Sequence, residues 1–143
     1  MKFYNLKDNS EQVSFAQAVR QGLGKGQGLF FPENIPAFDN IDELLAMPLV
    51  ERSIQVLTPF VEESLTQEQL TDIITKAFSF PAPIKLVNDK TASLELFHGP
   101  TLAFKDFGAR FMAQCLQTFS QNEKITILTA TSGDTGAAVA HAF

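Results

Sequence analysis

The stretch Ile125-Thr126-Ile127-Leu128-Thr129-Ala130-Thr131, followed at once by Ser132-Gly133-Asp134-Thr135-Gly136, decides the reading of this chain. The first seven residues form a β-branched run without polar–apolar alternation. That pattern suits a strand buried on both faces, as in a parallel sheet. The next five make a tight turn, and Ala137 to Phe143 opens a helix. Upstream, Phe107, Phe111, Cys115 and Phe119 recur every four residues as a helical stripe. Before them, Ile84-Lys85-Leu86-Val87 and Ser93-Leu94-Glu95-Leu96-Phe97 read as strands joined by a short polar turn. This order of strand, loop, helix, strand, loop, helix predicts a parallel α/β unit with right-handed crossovers. Loops leaving parallel strands open at one sheet edge, where ligands bind. The loops around Lys105 and Asp134 are therefore expected at one pocket.

The first half reads as helical. Asn9 with Gln12 at the third position predicts a helix in which Phe15, Val19 and Leu23 share a face. Gly22, Gly24, Gly26 and Gly28 stop it; they fit GxGxxG in no register, and no strand is expected before them, so they read as a loop. Asn40 with Glu43 starts a short helix that ends before Pro48, and Pro48 opens another through Val50, Ile54 and Leu57. Thr66 and Gln69 form a capping box, flanked by Leu65 and Leu70 at the staple positions. Leu70, Ile73, Ile74, Ala77 and Phe78 make one apolar stripe. Phe80-Pro81-Ala82-Pro83 breaks the pattern. The chain thus divides into a mainly helical region, 1–82, and the start of an α/β unit, 83–143.

Composition narrows the function. A chain of 143 residues, 45% hydrophobic and 19% charged, has the apolar material for one packed core. Sixteen acidic and eleven basic residues give a net charge of -5, and with no Lys/Arg cluster a nucleic-acid partner is not expected. One cysteine, Cys115, excludes an internal disulfide. His98 and His141 are too few and too far apart for a metal cluster, so no metal is expected. No apolar run approaches the ~20 residues of a membrane helix, and the first twelve residues lack the hydrophobic stretch of a signal peptide. The expectation is a soluble protein of the cytoplasm. The closing helix has about two turns and no Gly, Asn or Pro terminator, so the sequence reads as the amino-terminal piece of a longer protein.

Lys105 lies between Phe104 and Phe107 where a helix should begin. Burial and the positive end of a helix dipole both favour a neutral amine, the form that condenses with an aldehyde cofactor. The same pattern also fits a lysine whose stem covers apolar surface while its amine reaches water. Ser132 to Gly136 has two readings as well. Ser132, Asp134 or Thr135 caps the next helix, or backbone N–H groups and hydroxyls at that helix start hold an anion such as a carboxylate. GxxxxGK[ST] is absent, which excludes the usual P-loop.

Taken together the two loops are specific. His98-Gly99-Pro100-Thr101-Leu102-Ala103-Phe104-Lys105-Asp106-Phe107-Gly108 resembles the pyridoxal-phosphate attachment segment of the threonine synthase family. Thr129 to Ala138 is similar to that family's substrate-carboxylate loop, and Gly28-Leu29-Phe30-Phe31-Pro32 to a third segment near its amino terminus. Order and approximate spacing agree, so the resemblance covers essentially the whole chain and roughly the first third of a family member.

The resemblance implies the parallel sheet of pyridoxal-phosphate fold type II and a lyase of threonine biosynthesis. It turns O-phospho-L-homoserine and water into L-threonine and phosphate. By position, Lys105 would be the Schiff-base lysine and would then move protons at Cα and Cβ of the substrate. Phe104 and Asp106 would line the cofactor. Ser132, Gly133, Asp134 and Thr135 would orient the substrate. The family's glycine-rich loop for the cofactor phosphate, and its contact to the pyridine nitrogen, have no counterpart here. The chain is therefore expected to need the remainder of its own polypeptide and to be inactive alone. Two alternatives remain open: another type II lyase such as a threonine dehydratase, or a non-catalytic binding module of this fold.

Overall fold

Alternating burial begins at the third residue. Phe3 and Asn5 point inward on β1 (Phe3–Asn5), and Val13 does so at the end of β2 (Asp8–Val13). The two strands pair antiparallel with Phe3 opposite Val13. β3 (Phe30–Pro32) pairs antiparallel with the other edge of β1, giving the order β2-β1-β3. The computed structural model describes residues 1–120 and 124–143.

The helix expected from Asn9 does not form. Asn9 and Gln12 lie in β2. The Asp8 carboxylate accepts from the Ser10 N–H at 3.1 Å and hydroxyl at 2.5 Å. Pairing buries Phe3 with Val13, which outweighs a two-residue capping pattern. The helix α1 runs instead over Phe15–Gln21, where Ser14 Oγ accepts from the Gln17 N–H at 3.2 Å. Gly22 ends it, so Leu23 lies beyond the helix and half exposed. Two strands therefore precede the glycines, contrary to expectation. The glycines form a loop around Asn5, whose side chain is fully buried. Asn5 Nδ2 donates to Glu11 Oε2 at 2.6 Å and to the Lys25 carbonyl at 2.9 Å, and Oδ1 accepts from the Lys7 N–H at 2.8 Å. A Cβ at Gly28 would overlap Asn5 Oδ1, so the loop closes only with glycine there.

The helical expectations hold beyond this point. Asn40 precedes α2 (Ile41–Ala46) and Pro48 precedes α3 (Leu49–Val61). Thr66 starts α4 (Gln67–Ala77) with the reciprocal capping box: Thr66 Oγ1 accepts from the Gln69 N–H at 3.2 Å, and Gln69 Oε1 accepts from the Thr66 N–H at 2.9 Å. Leu70, Ile73 and Ile74 of α4 join Val61, Leu65 and Cys115 in the core. Cys115 belongs to α5 (Lys105–Phe119). Phe111 and Phe119, from the predicted stripe, reach Phe15 with ring centroids 6.4 and 6.0 Å apart. Burial pushes the Cys115 thiol up to about 12.

The sheet of the second half departs from the sequence reading. β4 (Ile84–Asn88) and β5 (Thr91–Leu94) form an antiparallel hairpin, with Leu86 82% exposed. Ile125 to Thr131 has no regular secondary structure, and Leu128 is 90% exposed. No parallel pair occurs among the described residues. A doubly buried strand needs ladder partners on its flanks and cover on its faces, and β4 and β5 spend their inner edges on each other. The observed class is mixed α/β. α6 (Asp134–Ala142) follows and packs along α5. Among the described residues no helix is long and apolar enough to cross a membrane, and no group of His, Cys, Asp and Glu is placed to hold a metal ion.

The Asn5 network predicts an acid dependence. Hydrogen bonds from the Asn5 amide and the Lys25 N–H hold the Glu11 carboxyl below its ordinary value. A lowered folded-state value makes the ionised group stabilising above the ordinary glutamate range, and that contribution drains as pH falls through the lowered value. Denaturant midpoints measured across the acid range should fall less steeply in Glu11→Gln than in the parent.

Candidate functional site

Lys105 is the first residue of α5, as the sequence predicts. Its side chain is half buried, and Nζ stands 4.5 Å from the centroid of the Phe104 ring. Phe104 itself is largely exposed, so the amine sits at a surface with one aromatic face beside it.

Asp106 turns the other way. It is fully buried in the first turn of α5. Oδ2 accepts from the Thr101 N–H at 2.9 Å and Oδ1 from the Thr101 hydroxyl at 2.6 Å. The Gly99 backbone lies so close that a Cβ there would overlap Oδ2. The loop is closed again by Leu102 N–H to Gly99 O at 3.1 Å and Asp106 N–H to Ala103 O at 3.0 Å. Leu102 adopts φ +59°, a left-handed conformation that costs a leucine about 1 kcal/mol or more. Residues 99–106 thus form a strained loop held by one carboxylate. Beside it, His98 Nε2 lies 2.8 Å from Glu95 Oε2.

One turn into α5, Arg110 reaches back to α4. Nε donates to Ala77 O at 3.0 Å, and one terminal nitrogen donates to Lys76 O at 2.6 Å and Ser79 Oγ at 3.2 Å. These carbonyls lie at the end of α4, where intrahelical donors run out. A guanidinium there meets the negative end of the helix dipole. Sequence reasoning gave no role to Arg110, Thr101 or Gly99. The spacing of Thr101 and Asp106 across a helix start was the available signal for Thr101; nothing local marks Gly99 or Arg110.

Ser132 to Thr135 form the start of α6, with Gly133 at the cap position and φ +148°. None of Ser132, Asp134 or Thr135 caps the helix by its side chain. The Gly133 N–H donates to Thr131 Oγ1 at 3.2 Å, while the N–H groups of Asp134, Thr135 and Gly136 have no intrahelical acceptor. Ser132 and Asp134 are exposed and Thr135 is half buried. A cavity of about 370 Å³ is lined by Ala113, Leu116 and Ser120 near the carboxyl end of α5 and by Ala142 and Phe143 at that of α6. The two helices are in contact. Lys105 and the Ser132–Thr135 turn both belong to their opposite, amino-terminal ends.

Comparison with known proteins gives this arrangement a context. A family model described as "Threonine synthase N terminus" matches residues 2–78, more than half of the chain. A threonine synthase of Haemophilus influenzae is 62% identical over 143 residues, which is 100% of this chain and 34% of that protein. The crystal structure of threonine synthase from Escherichia coli superposes with a TM-score of 0.95 at 60% identity, covering 100% of this chain and 34% of that one. A PLP-bound threonine synthase from Brucella melitensis superposes at 0.93 with 33% identity, covering 100% and 33%. The chain spans about a third of the length of the relatives it matches.

The closure around Asp106 predicts that Gly99→Ala is not a neutral change. The added methyl must displace the carboxylate or the backbone, at a cost of about 1–3 kcal/mol. Equilibrium unfolding in urea should show that loss.

Proposed function

The chain belongs to the threonine synthase amino-terminal family, and from that membership we propose that it carries the lysine and substrate turn of a pyridoxal-phosphate-dependent threonine synthase. The observation that supports this best is Lys105 itself. It offers a half-buried primary amine at a helix start, beside an aromatic face and behind a loop held rigid from below. The donor set fits an aldehyde cofactor at its reactive end. Among the described residues, 83–143 supply no glycine-rich cradle for its phosphate, which we assign to the remainder of the polypeptide.

When bound, pyridoxal phosphate supplies an aldehyde for covalent attachment and a ring that draws electrons from the substrate Cα. The protein's own groups do the rest. The Lys105 amine takes the proton from Cα and then one from Cβ as phosphate departs from Cγ; it returns one to Cγ and, once the hydroxyl of water has added at Cβ, the other to Cα, while the proton that water gives up leaves with phosphate. The open N–H groups of Asp134 and Thr135, with the Ser132 and Thr135 hydroxyls and the Gly133 bend, hold the substrate carboxylate against the positive end of α6. Because Asp134 is itself negative, its backbone is the useful part of that residue. Phe104 lies against the cofactor, and Asp106 acts from behind the loop. The substrate is O-phospho-L-homoserine, the products are L-threonine and phosphate, and the working protein is a cytoplasmic lyase. Residues 1–82 form its helical amino-terminal region and 83–143 the start of its cofactor-binding unit. Ile125 to Thr131 becomes a strand of the type II parallel sheet once partners from the remainder of the chain flank it.

A chimaera tests this reading. In it, the 143 residues replace the matching first third of the Haemophilus influenzae relative. It should release phosphate from O-phospho-L-homoserine, and Lys105→Ala should lower that rate by on the order of 10³-fold or more. Borohydride reduction of the loaded chimaera should leave the cofactor on Lys105. The 143-residue chain alone should show no turnover at an enzymatic rate. Turnover by the isolated chain, or full activity of the alanine variant, would refute the assignment.

A further inference from the structure

We propose that Asp106 is the positioning residue for the Lys105 amine, and that it acts through Thr101. The inference rests on Lys105 being the attachment lysine. A buried carboxylate is costly unless its oxygens are satisfied, and among the described residues no cation pairs with Asp106. Both of its oxygens go instead to one residue: Oδ2 to the Thr101 N–H at 2.9 Å and Oδ1 to the Thr101 hydroxyl at 2.6 Å. Its place in the first turn of α5 adds the favourable end of the helix dipole. The loop it holds would not close unaided, since Leu102 is left-handed at φ +59° and 74% exposed, gaining nothing by burial. Gly99 has no room for a side chain because the carboxylate fills that space.

Lys105 lies inside this closure, between Ala103, whose carbonyl takes the Asp106 N–H, and Asp106 itself. Its backbone is bracketed by the Thr101 bonds on one side and the Asp106 N–H to Ala103 carbonyl bond on the other. The side chain is the part left to move. A pair of hydrogen bonds donated by one residue to the two oxygens of a carboxylate is directional, so the origin from which the amine swings is fixed. Loss of one prong leaves α5 intact, because the helix is anchored elsewhere by Arg110 and by Cys115 in the core.

The chimaera, loaded with pyridoxal phosphate, tests this with Asp106→Asn, Thr101→Val and Thr101→Ser. The first two should keep the parent's melting temperature within a few degrees. Both should slow borohydride trapping of the cofactor on Lys105, shift the absorbance band of the bound cofactor, and lower kcat by about 10²-fold with KM nearly unchanged. Thr101→Ser, which keeps the hydroxyl, should restore all three readouts. The double variant Asp106→Asn/Thr101→Val should be no worse than either single one, because both break one link. Parent-like trapping, spectrum and kcat in Asp106→Asn would overturn the proposal while leaving Lys105 in its role. Should Asp106→Asn fail to fold, Thr101→Val decides by the same readouts. Attachment of the cofactor to another residue in the parent chimaera would instead overturn the function and this inference together.

Discussion

Arg110 ties the beginning of α5 to the end of α4. The last carbonyls of a helix have no partners of their own, and here one guanidinium takes two of them together with the Ser79 hydroxyl. Beneath it, Phe78 and Phe80 close on Phe107 with centroids 5.6 and 4.6 Å apart. Deeper still, Cys115 meets Ile74 and Val61 in the shared core. This set of contacts determines where α5 starts and which way its first turn faces. That placement gives Lys105, the first residue of α5, its position. It also couples the two halves of the chain, because the core runs across the Phe80–Pro83 break.

What the residues disclosed and what they concealed divide along physical lines. The stripe of α4 and the Thr66 box were legible because both are local, with spacings and side-chain reach confined to one helix. The start of α5 at Lys105 was legible for the same reason. The amino-terminal sheet was not. Its strands are short, and the pairing of Phe3 with Val13 depends on a hairpin that no single window displays. The glycines were rightly read as a loop, but the reason two of them must be glycine, to admit the Asn5 amide, is a contact set by the sheet. Ile125 to Thr131 had the composition of a buried strand, but composition cannot provide a neighbour to pair with. Lys105 and the Ser132–Thr135 turn were singled out by resemblance alone, whereas the inward turn of Asp106 needed coordinates.

The site joins two opposite mechanical characters. Behind Lys105 the structure is over-determined, with a satisfied carboxylate, a left-handed leucine and a glycine that admits no substitute. Beside it the surface is open, with Phe104 largely exposed, and at the start of α6 Ser132 and Asp134 are exposed too. Preorganisation on one side and accessibility on the other is the arrangement that the proposed function calls for.

The hairpin β4–β5 carries this asymmetry to another scale. Ile84, Leu86, Val87 and Leu94 stand bare on a ladder of two strands, and a pair of strands with free outer edges is a template for any extended peptide nearby. Lys85 on β4 and Lys90 at the bend set positive charge beside those edges, a modest deterrent. In a concentrated preparation of this polypeptide, self-association would begin at that ladder and spread by strand addition, while the helices behind it stayed folded. Aggregates formed this way would retain most of their helical circular dichroism.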